Sequence, residues 1–247
     1  MGGKILKRFV PMVAIDVATT EEASALFAAL TVEPRPIVKI GMELYYGRGQ
    51  AVVKEAKRRG FKVFLDLKLY DIPNTVHRAM AAIGLLGVDF TTIHAAGGSE
   101  MLAAGLAGIQ EGAEMAGVAP AKLLAITQLT SIDEQILHDQ QHVACSLIES
   151  VQSYAQLAEQ VGLAGVVCSA QEIGAIRQVT GPEFLCVTPG IRPANAVRDD
   201  QKRVVTPRQA RDLGSNGIVV GRPITQSADP AASYQKIQQA FLKEATQ

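Results

Sequence analysis

Charged side chains alternate with apolar ones in the segment Val63-Phe64-Leu65-Asp66-Leu67-Lys68-Leu69-Tyr70-Asp71. If this segment is a β-strand, Asp66 and Lys68 lie on the same face, because successive side chains of a strand point to opposite faces. Burying a carboxylate and an ammonium costs on the order of several kcal/mol per ion unless the two are paired. A functional site is one reason to keep such a pair, and a purely structural ion pair is the other.

Two further charges would extend this pair into an alternating array. Asp71 lies three residues after Lys68, and Lys39 ends a neighbouring predicted strand. Carboxylates on both sides of Lys68 would keep its ammonium charged and fix its position. The ammonium could then donate a proton, with the Asp66 carboxylate beside the substrate group that approaches it. We therefore predict that Lys39, Asp66, Lys68 and Asp71 form a catalytic cluster.

Polar residues also follow most of the other apolar strands that the sequence predicts. In parallel barrels, catalytic side chains lie at the carboxyl ends of the strands. Each residue alone is also explained as a solvated strand end, but together they indicate a common site. The full set is Asp16, Lys39, Asp66, Lys68, Asp71, Thr130, Arg192 and Arg222.

The C-terminal part of the chain predicts an anion site. Residues 219–223 include the end of the last predicted strand and the turn after it, where barrels commonly bind phosphate through backbone N–H groups. Arg222 would contact the anion, so a small phosphorylated substrate is expected. Residues 188–193 and a loop that extends past Gln201 suggest a lid on the same side, and a surface loop without function is the alternative.

Short apolar runs rich in β-branched residues recur, each followed by a segment with helical periodicity. We predict strands at residues 12–16, 37–40, 62–68, 90–94, 123–128, 165–168, 184–188 and 217–220, and helices at 20–30, 50–59, 75–86 and 100–115. Gly60, Gly87 and Gly117 would terminate helices. Eight such units favour a (β/α)8 TIM barrel in one domain, residues 1–247, over an open doubly wound sheet. No GxGxxG follows the first strand, which argues against dinucleotide binding.

The composition limits the partners. The chain has 247 residues, 48% of them hydrophobic, and its 24 basic and 24 acidic residues cancel. No dense basic run predicts a nucleic-acid or anionic-membrane partner, and no apolar stretch is long enough to span a bilayer. The three cysteines lack CxxC spacing, so we interpret them as reduced thiols in a cytoplasmic protein.

Other candidate groups give weaker signals. The His, Cys and carboxylate residues lack the spacing of a metal site, so no metal is predicted. His94 ends the fourth predicted strand, and we interpret it as a hydrogen-bonded core residue without a catalytic role. The hydroxyls of Thr130 and Ser131 could contact a base or a sugar, or could cap the following helix.

Six motifs together resemble those of the orotidine 5′-phosphate decarboxylases of the bacterial type, over nearly the whole chain. The resemblance implies conversion of orotidine 5′-phosphate (OMP) into uridine 5′-phosphate (UMP) and CO₂, the last step of de novo pyrimidine biosynthesis, without a metal or organic cofactor. The motifs are Ala14-Ile15-Asp16, Val38-Lys39-Ile40-Gly41, Asp66-Leu67-Lys68-Leu69-Tyr70-Asp71-Ile72-Pro73-Asn74-Thr75, Leu129-Thr130-Ser131, Thr188-Pro189-Gly190-Ile191-Arg192 and Val220-Gly221-Arg222-Pro223.

The resemblance also implies a role for each matching residue. Lys68 would protonate the pyrimidine carbon that loses its carboxylate, and Asp66 would lie against that carboxylate. Asp16 and Lys39 would bind ribose hydroxyls, and Thr130 would lie by the pyrimidine. The phosphate and lid group would be Arg192, Gln201, Gly221 and Arg222.

In the family, residues matching Asp71, Ile72 and Thr75 reach into the neighbouring subunit's site, which implies a homodimer with shared active sites. The chain departs from many relatives at Leu69 and Tyr70, where Phe and His are common. Neither position belongs to the charged array, so we expect little loss.

Two other functions fit parts of this pattern. Magnesium-dependent decarboxylases or aldolases of the same barrel group also carry an Asp-x-Lys-x-x-Asp segment. Lys39 argues against them, because magnesium prefers carboxylate oxygens at that strand end. A non-catalytic barrel that senses a nucleotide shares the fold, but it would not need an inward-facing charged cluster.

Overall fold

The computed structural model describes residues 7–193 and 204–243. Eight parallel strands pair in chain order, and β8 pairs with β1, so the sheet closes on itself. The predicted (β/α)8 barrel is confirmed, and the open sheet is excluded. The strands are β1 (Met12–Ala14), β2 (Ile37–Gly41), β3 (Lys62–Leu69), β4 (Phe90–His94), β5 (Lys122–Ile126), β6 (Gly165–Val167), β7 (Leu185–Thr188) and β8 (Gly217–Val220).

Helices connect the strands and cover the outside of the barrel. Within the described ranges, none of them is long and apolar enough to cross a membrane. They are α1 (Thr20–Ala29), α2 (Met42–Arg48), α3 (Gln50–Arg58), α4 (Pro73–Gly84), α5 (Gly98–Ala116), α6 (Glu134–Asp139), α7 (Leu147–Val161), α8 (Ile173–Val179), α9 (Pro207–Asp212), α10 (Arg222–Thr225) and α11 (Pro230–Leu242), with short 3₁₀ turns at Ala95–Gly97 and Ala170–Glu172.

All eight predicted strands occur, with differences at their ends. β1 stops at Ala14 and β5 stops at Ile126, each two residues before its predicted end, and β3 continues to Leu69. Asp16 and Gln128 therefore lie in the loops just beyond their strands. Those loops are at the carboxyl end of the barrel, where the sequence places the candidate site.

Capping side chains fix where several helices begin and end. The Thr19 hydroxyl accepts a hydrogen bond from the Glu22 N–H, and the Glu22 carboxylate accepts one from the Thr19 N–H. Ser146 and Glu149 form the same capping box before α7. Each box satisfies N–H groups that have no partner within the helix. As predicted, α5 ends at Gly117, which adopts a left-handed φ of 65°.

Apolar side chains fill both sides of the sheet. The larger cluster lies between the strands and the helices and includes Val13, Val38 and Val63. The second fills the barrel interior, where the ring centroids of Phe64 and Phe90 are 6.0 Å apart. Both faces of the strands are therefore buried, as is usual for parallel sheets. The members of the interior cluster are Met12, Ile37, Phe64, Phe90, Leu124, Leu185 and Val187.

Helices α4 and α5 pack backbone against backbone through glycines. A Cβ on Gly108 would overlap the carbonyl oxygen of His77, and one on Gly112 would overlap that of Ala81. From the other side, a Cβ on Gly84 would lie 2.7 Å from the carbonyl oxygen of Ile109. The two helices can approach this closely only because these positions lack side chains. On the barrel side, a Cβ on Gly105 of α5 would lie 2.7 Å from the side chain of Ile93, so α5 also packs closely on β4, the strand next to β3.

We predict opposite effects for two Gly→Ala substitutions in helices. Gly112→Ala inserts a methyl group against the α4 backbone and should destabilise the protein by about 1–3 kcal/mol, as overpacking does. Gly174→Ala, in α8, meets nothing within 4 Å, so it should stabilise by about 0.5–1 kcal/mol through helix propensity. Urea denaturation of both variants measures the difference. A Gly112→Ala variant as stable as Gly174→Ala would contradict the close packing.

Candidate active site

A cavity of about 560 Å³ opens at the carboxyl ends of the strands. Its walls come from the ends of several strands and the loops that follow them, which is where barrel active sites form. The structure brings eight of the predicted site residues together there. They are Asp16, Lys39, Asp66, Lys68, Thr130, Arg192, Gly221 and Arg222.

Four charged groups alternate in sign along one wall of the cavity. Lys39 Nζ lies 3.0 Å from Asp16 Oδ1 and 3.8 Å from Asp66 Oδ2. Lys68 Nζ lies 2.7 Å from the same Asp66 Oδ2. The order is therefore Asp16, Lys39, Asp66 and Lys68, and we call these four residues the ion array. Strand register produces it, because β2 pairs Ala14 with Lys39 on one side and Gly41 with Asp66 on the other.

The four side chains of the ion array differ in how much of their surface is exposed to solvent. The side chains of Lys39 and Asp66 are only 11% and 12% exposed, while those of Lys68 and Asp16 are 25% and 54% exposed. Each of the two buried charges is paired with at least one opposite charge, as burial requires. The more exposed Lys68 is the cation at the edge of the array that faces the cavity, so a bound molecule can reach its ammonium.

Lys68 also has an unusual backbone. Its φ is +51°, in the left-handed region that non-glycine residues seldom occupy. The ladder between β3 and β4 shifts here, because Leu65 pairs with Thr91 but Leu69 pairs with Ile93. Such bulges re-aim side chains and are common beside active sites. The side-chain direction of Lys68 is thus set by a local irregularity and not by simple alternation.

Three predicted site residues lie outside the cavity of this chain. Asp71, Ile72 and Thr75 are exposed and belong to the turn after β3 and the first turn of α4. The Asp71 carboxylate accepts a hydrogen bond from the Ile72 N–H at 2.6 Å. The prediction that Asp71 flanks Lys68 within the same chain is therefore wrong. The chain turns away after Leu69, so Asp66 alone of the two carboxylates contacts Lys68 in the described residues.

Two arginine residues line the cavity beyond the ends of β7 and β8. Arg192 follows β7 and Arg222 begins α10 directly after β8. Around the predicted lid, the Arg192 N–H donates to Val205 O at 3.0 Å and the Val205 N–H donates to Gly190 O at 3.2 Å. These bonds join the two described flanks of the loop. Gln201 and the rest of the predicted lid, residues 194–203, lie outside the described residues.

The sequence analysis did not predict several polar groups of the site. Thr225 ends the short helix α10, Gln226 follows it, and both line the cavity. Their positions two and three residues beyond the Gly-Arg-Pro motif are the signal that could have found them. Gln128 also lines the cavity, and its Nε2 donates to Ser150 Oγ at 3.0 Å. Thr92, buried under the ion array, gave no signal, because a threonine within a strand is ordinary.

The sequence profile of the orotidine 5′-phosphate decarboxylase / HUMPS family matches residues 11–237. The chain belongs to this family. A relative named orotidine 5′-phosphate decarboxylase, from Latilactobacillus sakei subsp. sakei (strain 23K), is 55% identical over 226 residues, which cover 92% of this chain and 95% of the relative. One of the same name from Streptococcus pneumoniae (strain ATCC 700669 / Spain 23F-1) is 48% identical and covers 95% of this chain and 97% of its own length.

Solved structures agree with this membership. The crystal structure of orotidine 5′-phosphate decarboxylase from Lactobacillus acidophilus matches with a TM-score of 0.85 and 41% identity, covering 95% of this chain and 99% of that one. An uncharacterized conserved protein from Geobacillus kaustophilus matches with a TM-score of 0.81 and 42% identity, covering 93% of this chain and 99% of its own. The resemblance predicted from the motifs is confirmed, and the relatives' name, orotidine 5′-phosphate decarboxylase, is that of a carboxy-lyase.

In the cavity, the carboxylates of Asp16 and Asp66 already form ion pairs with lysine side chains. In residues 7–193 and 204–243, no group of three or more His, Cys, Asp or Glu side chains could hold a metal ion. The Lys39 ammonium lies between the carboxylates of Asp16 and Asp66. A divalent cation bound by these two carboxylates would have to approach that ammonium, which like-charge repulsion disfavours.

His94 ends β4 next to the ion array and is half-buried. Its ring centroid lies 5.7 Å from that of Tyr70. Burial lowers the pKa of His94, the charge of Lys68 lowers it further, and Asp66 opposes both effects. The lowered pKa favours the neutral imidazole, which adds no third positive charge beside Lys68.

The lowered pKa predicts how stability depends on pH. The unfolded chain, with a histidine pKa of about 6.5, binds the proton more readily than the folded one. The contribution of neutral His94 is therefore intact above about pH 6.5 and is lost as the pH falls through the lowered folded pKa. Relative to His94→Asn, the wild type should lose stability between pH 7.5 and pH 5.5 in urea denaturation. Parallel losses in both proteins would contradict the assignment.

Proposed function

We propose that this chain is an orotidine 5′-phosphate decarboxylase that converts OMP into UMP and CO₂ without a metal or organic cofactor. The observation that carries the proposal is the Lys68 ammonium, held 2.7 Å from Asp66 at the wall of a cavity that Arg192 and Arg222 also line. The names of relatives at 48–55% identity support the same reaction. We propose that the whole chain acts as one catalytic domain in the cytoplasm, with no nucleic-acid or membrane partner.

The charges of the cavity suggest how OMP binds. Its phosphate would lie against Arg192 and Arg222, with Gly221 leaving space for close approach, and Gln201 would join them. The ribose hydroxyls would contact Asp16 and Lys39, whose 3.0 Å pair offers both an acceptor and a donor. These placements leave the pyrimidine between Thr130 and Lys68, since both line the same cavity.

In this orientation the substrate carboxylate lies beside Asp66 and Lys68. The carbon–carbon bond to the carboxylate breaks, CO₂ leaves, and the electron pair stays on the ring carbon. A proton from the Lys68 ammonium then forms the new C–H bond of UMP, and solvent returns a proton to the lysine. The fixed ammonium stabilises the developing carbanion in a site that is already organised for it, which is usually the largest catalytic effect. Repulsion between Asp66 and the substrate carboxylate would add ground-state destabilisation.

Phosphate binding can contribute to a bond cleavage that occurs elsewhere in the molecule. The arginines contact the substrate far from the bond that breaks, and binding energy from such remote groups can be used to hold the reacting carboxylate against Asp66. The hydrogen bonds between Arg192 and Val205 and between Val205 and Gly190 keep the base of the loop in place beside the phosphate position.

We further propose a homodimer with shared active sites. Tyr70 and Ile72 are 63% and 66% exposed at the carboxyl end of the barrel. Exposed apolar side chains of this size, side by side with Asp71 and Thr75, suit a subunit interface. In such a dimer, Asp71 of each chain would complete the charge pattern around Lys68 of the other chain, and Ile72 and Thr75 would contact the substrate there.

Turnover of OMP tests the reaction and the proton donor together. The fall in OMP absorbance should proceed unchanged in EDTA. Lys68→Ala should slow turnover by about 10⁴-fold or more, because it removes both the general acid and the stabilising charge. The exposed Lys236→Ala on α11 is the matched control and should keep wild-type activity.

Three outcomes would contradict this proposal. Loss of activity in EDTA, restored by magnesium, would favour the metal-dependent reactions of the same barrel group. Tight binding of UMP with no turnover at any protein concentration would indicate a nucleotide sensor. Near-normal turnover by Lys68→Ala would remove the lysine from the role of proton donor.

A hybrid dimer tests the shared sites. Lys68→Ala and Asp71→Ala chains, co-expressed with different tags, should each be inactive as homodimers. In the hybrid, one site combines both substitutions and the other combines neither, so a closed twofold dimer with shared sites should regain about half of the wild-type activity. Purified hybrid with no activity would show that Asp71 serves its own chain's site.

A further inference from the structure

Thr92 lies within β4 with no exposed surface and bonds to two residues of the ion array. Its Oγ1 donates to Asp66 Oδ1 at 2.9 Å and accepts from the backbone N–H of Lys68, also at 2.9 Å. The other carboxylate oxygen, Asp66 Oδ2, accepts from the Lys68 ammonium. One hydroxyl therefore links the backbone of the lysine to the carboxylate that holds its side chain.

This link coincides with the strained part of β3. The Val63 N–H and C=O both bond to Asp89, on the β4 side of β3. Regular alternation would therefore turn the N–H of Lys68, five residues later, toward β2. The register shift and the φ of +51° turn it toward β4 instead, where the Thr92 hydroxyl accepts its hydrogen bond. A left-handed non-glycine residue persists only where its surroundings hold it. The hydrogen bond from Lys68 to Thr92 is such a restraint, and it acts at the residue whose side chain does the chemistry.

We propose that Thr92 is a positioning residue for the decarboxylation, which orients Asp66 and Lys68 through a single hydroxyl. The proposal rests on the proposed function of Lys68. Thr92 is not part of the cavity wall formed by the described residues, so it acts through Asp66 and Lys68 and does not contact the substrate. Its loss should therefore change the rate of the chemical step and leave the phosphate and ribose contacts in place.

The neighbouring threonine provides a matched control. Thr91 is equally buried on the same strand, and its hydroxyl donates to the carbonyl oxygen of Leu65 at 2.9 Å. Strand alternation directs it away from the ion array. Thr91→Val and Thr92→Val thus remove the same atoms from adjacent buried sites, and one of the two sites bonds to the ion array.

Steady-state kinetics with OMP separates positioning from a structural role. Thr92→Val should lower kcat by about 10²-fold, the usual effect of a small misplacement of a reacting group, and should change KM by less than about threefold. Thr92→Ser keeps the hydroxyl and should retain kcat within about threefold of the wild type, as should Thr91→Val. Thermal unfolding shows whether each variant is folded at the assay temperature.

Several results would overturn the proposal. They are a folded Thr92→Val with wild-type kcat, a Thr91→Val with an equal loss of kcat, a Thr92→Ser as slow as Thr92→Val, or failure of both Thr92→Val and Thr92→Ala to fold. If the wild type itself does not turn over OMP, the proposed function fails separately. In that case the crystal structure of Thr92→Val still tests whether Thr92 positions Lys68 and Asp66. The proposal expects Lys68 to leave its left-handed conformation or its pair with Asp66, and unchanged geometry would contradict it.

Discussion

Two ammonium groups and two carboxylates alternate at the ends of β1, β2 and β3, and the rest of the site is arranged around them. Lys39 and Asp66 are the buried centre of this array, and each lies between two opposite charges, as burial of a charge requires. The backbone leaves room for the array, because a Cβ on Gly41 would lie 3.0 Å from Lys39 Nζ and 3.1 Å from Asp16 Oδ1. Pairing within the closed barrel fixes the register of β1, β2 and β3, and this register determines the order of the charges.

The sequence predicted the barrel well, because its strands are short β-branched runs buried on both faces. Errors fell at strand ends, where β1 and β5 stop earlier than their apolar patterns suggest. The prediction that Asp66 and Lys68 share a direction came from simple alternation, but the structure reaches it through a bulge and a left-handed Lys68. Alternation could not reveal this, since the bulge depends on contacts with β4.

The site was predicted best where a residue's role follows from its place at a strand end. Asp16, Lys39 and Arg222 all reach the cavity for that reason. Asp71 does not, because the chain turns outward after β3, and the motif contains no sign of that turn. Thr92 was not predicted, because its proposed role depends on two hydrogen bonds to Asp66 and Lys68 of β3, which are distant in sequence.

The crystal structure of the protein with UMP bound would test the central claim most directly. Lys68 Nζ should lie within about 3.5 Å of the ring carbon that had carried the carboxylate, at reacting distance, and the phosphate should contact Arg222. UMP bound in the opposite direction, with its phosphate against the lysines of the ion array and its base among the arginines, would contradict the proposed roles of these residues.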